Sequence, residues 1–206
     1  MRYVKGHKLQ TRSRILEEAS YGLRQAGADG ISVSDLMKRA GLTHGGFYAY
    51  FESREALMIE AFATAMDRTI SQWRNHMDGL PAEKRFDAFV ETYLRSSHRD
   101  DRARGCVLPA LGTDIARSSY KARRAFARKL DEMIDVIATL LPEQQPKQAR
   151  QIATATLAAM MGTIALSRAV GGNKLSDEIL SAGRRALNGQ SAKRKTAVAC
   201  RAGPSK

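Results

Sequence analysis

The 206-residue chain has two cysteines, five prolines and one tryptophan, and aromatic residues make up only 6% of it. Each scarcity excludes something. Cys106 and Cys200 stand far apart, so neither a disulfide framework nor a thiolate metal site is expected. The four histidines, His7, His44, His76 and His98, are scattered and have no carboxylate partner at ligand spacing, so no metal and no cofactor is expected. No glycine loop follows a strand and no Ser or Cys sits in a nucleophile elbow, so there is no catalytic residue to name and an enzyme is not the expected class. Long alternation of β-branched and polar residues is missing, which argues against a sheet. No run approaches the roughly 20 apolar residues that span a bilayer, and the basic residues of the first ten positions have no apolar core behind them, unlike a secretory signal. The expected location is the cytoplasm, with no membrane partner.

What the chain does have is basic charge and helix formers. Lys and Arg number 34 against 21 acids, a formal net charge of +13 that calls for a polyanionic partner, nucleic acid first. Hydrophobic residues make up 43%, enough for a real core. Ala, Leu, Met, Arg, Lys, Glu and Gln dominate, and these lose little rotamer freedom in helices, so the expected fold is all-α with about nine helices. Ile15, Leu16, Ala19, Gly22, Leu23 and Ala26 recur at helical steps and mark a first helix over 11–25, stopped by Gly27. Ser32 or Ser34 can cap a short helix to Ala40, and Thr43 a third helix to Phe51, with Gly41 between them. A long helix from Ser53 to Met77 ends at Asp78-Gly79-Leu80-Pro81. Helices are then predicted over 82–99, 106–116, 120–141, 146–170 and 175–187, with a loop over 99–104. From Gly189 onward basic and small residues have no acids among them, and the tail 189–206 is expected to be disordered.

The most informative stretch is Val33 to Phe51, VSDLMKRAGLTHGGFYAYF. Two short helices joined by a turn of about three residues place the second helix in a major groove. Leu36 and Phe47 can pack the pair together, Ala40 allows close approach, Gly41 permits the positive φ of the turn, and Leu42 anchors it.

The run from Gly41 to Leu57, GLTHGGFYAYFESREAL, resembles the signature of the TetR family of repressors, in which an Ala-Gly-hydrophobic-Ser/Thr turn precedes an aromatic recognition helix ending in Tyr-x-x-Phe. Ser53-Arg54-Glu55-Ala56-Leu57 follows as the start of a long connecting helix, and the segment from Gly105 to Ser118 is similar to the family's second half. The resemblance is close over residues 11 to 60. It implies a three-helix helix-turn-helix DNA-binding domain over 8–55 and a ligand-binding and dimerisation domain over 56–188. It also implies roles. Thr43 would cap the recognition helix and touch a phosphate; His44, Gly45 and Gly46 would face the groove. Tyr48 and Tyr50 would bond phosphates through their hydroxyls, and Arg54 would pair with another. Ser32 or Ser34 could bond phosphate at the N-terminus of the preceding helix. Phe47 and Phe51 read as core. Two positions depart from the family pattern: Met37 stands where alanine is usual, and Gly46 where Thr or Ala is usual. With two glycines in the reading surface, base contacts fall to His44, with Lys38 or Arg39, and phosphates are expected to supply much of the affinity. Arg2, Lys5, Lys8 and Arg12 could form an additional basic arm.

For the second domain the resemblance implies a pocket enclosed by the connecting helix and the next three, taking a small-molecule effector that releases a palindromic operator. Candidate ligand-binding residues are Met66, Trp73, Phe89, Tyr93, His98, Cys106, Phe126, Met133 and Met161; ordinary core packing competes as the reading of each. Cys106 follows Gly105 at an expected helix start, near Arg99, Arg102 and Arg104, a setting that favours a reactive thiolate and an electrophile or oxidant switch. Small residues along 148–170 suit close helix packing in a homodimer. The alternative is a non-specific basic helical protein that coats double-stranded DNA or a membrane.

Overall fold

The computed structural model describes residues 2–28 and 32–201, with side chains described over 6–28 and 32–189. Among the described residues the chain is all-helical: α1 (Arg2–Ala26), α2 (Val33–Arg39), a 3-10 helix (His44–Ala49), α3 (Arg54–Asp78), α4 (Ala82–Tyr93), α5 (Ser96–Asp100), α6 (Leu108–Ala116), α7 (Tyr120–Ala138), α8 (Pro146–Ala169) and α9 (Lys174–Arg201). They form two compact units, one of residues 1–69 and 102–130, the other of 70–101 and 131–206. This division differs from the linear one drawn at residue 55, because α6 packs on α1 and joins the helix-turn-helix elements.

In the first unit, Ile15, Ala19 and Leu23 of α1 meet Leu36 and Met37 of α2, Phe47 and Phe51 of the motif, and Leu57, Ala61 and Phe62 of α3, all buried. That is the expected apolar face of the first helix. The helix itself begins earlier than predicted, at Arg2, since no proline or cap interrupts its N-terminal residues. Gly27 and Gly41 both adopt φ +71°, the left-handed geometry that ends α1 and turns the chain after α2.

The second unit is built from α4, α5, α8 and α9, with the end of α3 and the end of α7. The predicted helix over 82–99 is broken after Tyr93: Arg95 is extended (φ −83°, ψ 156°) and the short helix α5 restarts at Ser96. The serine pair is a weak helix former, and the His98 ring closes the break through a 2.6 Å bond between Nδ1 and the Tyr93 carbonyl. Helix α9 likewise runs beyond Leu187 to Arg201, consistent with the Ala, Lys, Arg and Gln content of 190–201 and the lack of Gly or Pro there. Gly183 of α9 lies so close to α8 that a Cβ there would be 2.8 Å from the Thr163 methyl and hydroxyl.

Helix α8 corrects one sequence expectation. By length and composition it is apolar enough to cross a membrane, with a mean hydropathy of 1.3, the only such helix among the described residues. Ile, Leu, Ala and Met supply that value, interspersed with Gly and Thr rather than as a run of large aliphatics. One face buries Ala153, Leu157, Met160 and Ile164; the other leaves Ala155, Ala158, Ala159, Gly162, Ala165 and Leu166 exposed.

Candidate nucleic-acid interface and effector residues

Ser32, rather than Ser34, caps α2: its backbone is extended and its Oγ accepts the Asp35 N–H at 3.3 Å. Two backbone bonds then close the turn, Gly41 N to Lys38 O at 3.0 Å and Leu42 N to Met37 O at 2.8 Å. The recognition element, the short helix predicted to Phe51, is a 3-10 helix of six residues that ends at Ala49. Thr43 holds the N-cap position with extended backbone (φ −83°, ψ 151°), but its side chain makes no capping bond; the Gly46 N–H goes instead to the Thr43 carbonyl at 3.1 Å. The Gly45-Gly46 pair explains both features, since glycine pays the largest entropy in an α-helix and tolerates the tighter i→i+3 winding.

The two departures from the family pattern prove to be neighbours. A Cβ on Gly46 would stand 3.8 Å from the Met37 Cε, an ordinary van der Waals contact. Met37 is fully buried. Phe47 is buried as expected, stacked on Phe51 at 5.8 Å and edge-on to Tyr48 at 5.2 Å. Around that core, Ser32, Ser34, Lys38, Arg39, Thr43, His44, Gly45 and Arg54 are exposed, and Gly46 and Tyr50 are half-buried. Tyr48 is 72% exposed, its ring edge anchored on Phe47 and its hydroxyl end open.

Arg54 and Arg12 have work inside the unit. Arg54 Nη2 donates to the Ala28 carbonyl at 2.7 Å. Arg12 pairs with Glu60 at 2.5 Å and lies over the Phe51 ring at 4.7 Å. It is therefore a brace between α1 and α3 rather than part of a loose basic arm. Lys8 is exposed on α1; the side chains of Arg2 and Lys5 lie outside the described residues.

The nine effector candidates fall in both units. Met66, Cys106 and Phe126 belong to the first unit and the other six to the second. Met66 is fully buried and Phe126 stacks on Phe62 at 5.2 Å. Cys106 is 3% exposed and precedes the Val107 N-cap of α6, so it is not the helix start expected from sequence. In the second unit, Trp73, Phe89, Tyr93 and His98 form one aromatic cluster, with Trp73 at 4.8 Å from Phe89 and 5.9 Å from Tyr93, and His98 at 4.5 Å from Tyr93. Burial pushes the His98 imidazole below its ordinary pKa, which keeps it neutral at pH 7. Met133 is fully buried and Met161 half-buried.

Sequence reasoning missed a set of polar residues that hold helices together. Arg99, nearly buried, donates to Asp100 (2.7 Å), Asp177 (2.7 Å) and Ser176 (2.9 Å), and those hydrogen bonds hold its guanidinium above its ordinary pKa and the Asp100 carboxyl below its own. Arg168 of α8 donates to the carbonyls of His98 and Arg99. In the first unit, Asp114 of α6 accepts the Ala28 N–H at 3.3 Å. Scattered charges in a presumed loop carry no spacing signal, so only their geometry reveals them. Among the described residues no group of three His, Cys, Asp or Glu could hold a metal ion.

Comparison with known proteins places this geometry. Residues 15–61 match the family of bacterial regulatory proteins described as tetR family, and residues 81–175 match the C-terminal domain of LmrA/YxaF-like transcriptional regulators. The HTH-type transcriptional regulator YvdT of Bacillus subtilis is 33% identical over 66 residues, 32% of this chain and 34% of that protein. The chain thus matches about a third of that relative's length. The HTH-type transcriptional regulator EthR of Mycolicibacterium smegmatis is 27% identical over 145 residues, 68% of this chain and 60% of EthR. Among solved structures, the reduced form of NemR from E. coli superposes with a TM-score of 0.71 at 19% identity, covering 84% of this chain and 95% of NemR. With the exposed helix-turn-helix and the all-helical frame behind it, these matches identify the chain as a member of the TetR family, a DNA-binding transcriptional regulator.

Proposed function

We propose that this regulator acts as a cytoplasmic homodimeric repressor that binds a palindromic operator in double-stranded DNA and is released by a small-molecule effector. The observation that carries the reading is the exposed face of the motif, where Lys38, Arg39, Thr43, His44, Gly45 and Tyr48 all stand open around a buried Phe47. Ser32 and Ser34 at the start of α2, the Tyr48 and Tyr50 hydroxyls and the Arg54 guanidinium take phosphates. His44 reads a base edge, helped by Lys38 or Arg39, while Gly45 and Gly46 let the backbone approach. Dimerisation is supported by the exposed small-residue face of α8 and by Leu175 of α9, 51% exposed. A second copy covering that face also accounts for the high hydropathy of α8 in a protein with no membrane partner.

The test is selection of DNA from a random pool by the full chain at near-physiological salt, with sedimentation of the same sample. Enrichment of one palindrome by a dimer supports the reading. Binding without any enriched motif would make it a non-specific basic DNA coat, and a monomer at micromolar concentration would remove the basis for reading two half-sites.

A second reading of the trigger is an electrophile or oxidant reacting at Cys106. The match to the fold of NemR in its reduced form favours this role for Cys106. Its burial at 3% means that a reagent must first open the segment before α6. If Cys106→Ser protein leaves DNA with the same thiol-reactive compounds as the parent, this trigger is excluded.

A further inference from the structure

Within the first unit lies a cavity of about 220 Å³ that none of the expected effector residues lines. Its wall is apolar: Leu23 of α1, Met58, Ile59 and Phe62 of α3, and Leu111 and Ile115 of α6. Ala122 and Ala125 of α7 complete the lining, the cavity opens to solvent on one side, and the polar groups at its edge are Ser118, Ser119, Arg54 and Glu55. An apolar cavity of roughly 150 Å³ takes up benzene, so this one has room for one or two fused rings. The Ser119 Oγ accepts the Ala122 N–H at 3.1 Å, which leaves its own proton to donate to an oxygen on such a molecule.

The cavity also abuts the joint that orients the DNA-reading motif. Ala28, one residue past the end-of-helix glycine of α1, lines it and is gripped from two sides. Its N–H donates to Asp114 of α6, and its carbonyl accepts from Arg54 of α3. Asp114 sits between Leu111 and Ile115, both in the cavity wall, and Arg54 is itself a wall residue. Gly27 fits tightly here as well: a Cβ on it would lie 2.9 Å from the Asp114 carboxylate. Any molecule that displaces α6 from α3 therefore moves the two groups that hold Ala28.

We propose that this cavity binds a neutral aromatic molecule of one or two rings bearing a hydrogen-bond acceptor, and that its occupancy loosens the Ala28 grip and weakens DNA binding. The proposal rests on the reading of the chain as an effector-released regulator and gives it a site other than the aromatic cluster of the second unit.

The probe is 1-naphthol, titrated into full-length protein carrying ¹³C-methyl methionine. The Met58 methyl resonance is expected to shift saturably, with those of Met133 and Met160 unmoved. In Ala122→Leu protein, whose added side chain fills the cavity, the dissociation constant for 1-naphthol should rise at least tenfold. The selected DNA should bind at least tenfold more weakly either to Ala122→Leu protein or to parent protein saturated with 1-naphthol. The wild-type titration needs no variant, so misfolding of Ala122→Leu would not shield the proposal. No shift of Met58 at millimolar 1-naphthol overturns the site, and so does a shift confined to Met133 and Met160. A shifted Met58 with unchanged DNA affinity overturns the coupling. Absence of any selected DNA would overturn the repressor reading and leave the methyl spectra to judge the cavity alone.

Discussion

A side chain at Gly46 would meet the Met37 methyl at 3.8 Å, an ordinary van der Waals distance, and one at Gly45 would meet nothing within 4 Å. Neither residue has a positive φ. Alanine at either position should therefore fit and stabilise the reading element by about 0.5–1 kcal/mol, through the lower backbone entropy of the unfolded chain. A raised urea midpoint in Gly45→Ala and Gly46→Ala would be the sign; a lowered one would mean that Met37 cannot give way. Tyr48 makes a separate case. Its ring is held edge-on by Phe47 while the side chain is largely open, so Tyr48→Phe should leave stability unchanged. One hydrogen bond to phosphate would be lost in each head, together about 2 kcal/mol or roughly thirtyfold in the DNA affinity of a dimer, and fluorescence anisotropy would read that loss directly. At this scale the sequence was informative where a residue type has one use. Gly41 announced a left-handed turn and Phe47 a core ring. The 3-10 winding and the partnership of Met37 with Gly46 were not readable, because both depend on which side chains face each other across the motif.

At the scale of elements, the helices and most of their apolar faces were legible from periodicity, while their ends and polar fasteners were not. The break after Tyr93 depends on the His98 ring bonding a carbonyl five residues back, and the Arg99 network joins residues 77 and 78 positions apart. Neither leaves a local pattern. The neutral, half-buried His98 makes the second unit pH-sensitive in a defined direction. Its folded pKa lies below the unfolded value of about 6.5, so below that pH the unfolded state binds more protons. Stability is thus complete at neutral pH and falls as acid is added through the window between the two values. Urea midpoints at pH 7 and pH 5 should drop further for the parent than for His98→Gln; an equal drop would assign the effect to carboxylates such as Asp100 instead. Packing of α8 on α9 offers a second check. Gly183→Ala would set a methyl 2.8 Å from Thr163, whose hydroxyl is already bonded to the Ala159 carbonyl. A cost of about 1–3 kcal/mol is expected for such overpacking, and Thr163→Ala in the same chain should restore most of it. If the double variant is no more stable than Gly183→Ala alone, the close approach is not what the glycine provides.

For the whole molecule the controlling quantity is charge, +13 per chain and twice that in a dimer. Such an excess raises affinity for any DNA, so tight binding at low salt says little about sequence recognition. Salt dependence separates the contributions. If the Lys and Arg groups of two reading heads together neutralise about eight phosphates, the logarithm of the association constant should fall against the logarithm of salt with a slope near −7. That slope corresponds to a loss of roughly 10⁴ between 50 and 200 mM salt. Lys38 is exposed in the last turn of α2, so a dimer would carry it once in each head. Lys38→Ala should accordingly flatten the slope by about 2 for a dimer if it contacts phosphate. If it instead reads a base, the slope should hardly change while one position of the selected palindrome loses its preference. A parent slope close to zero would contradict a phosphate-dominated interface altogether. The Gly45-Gly46 surface would then have to discriminate through shape and water, since with two glycines there are few side chains left to reach the bases.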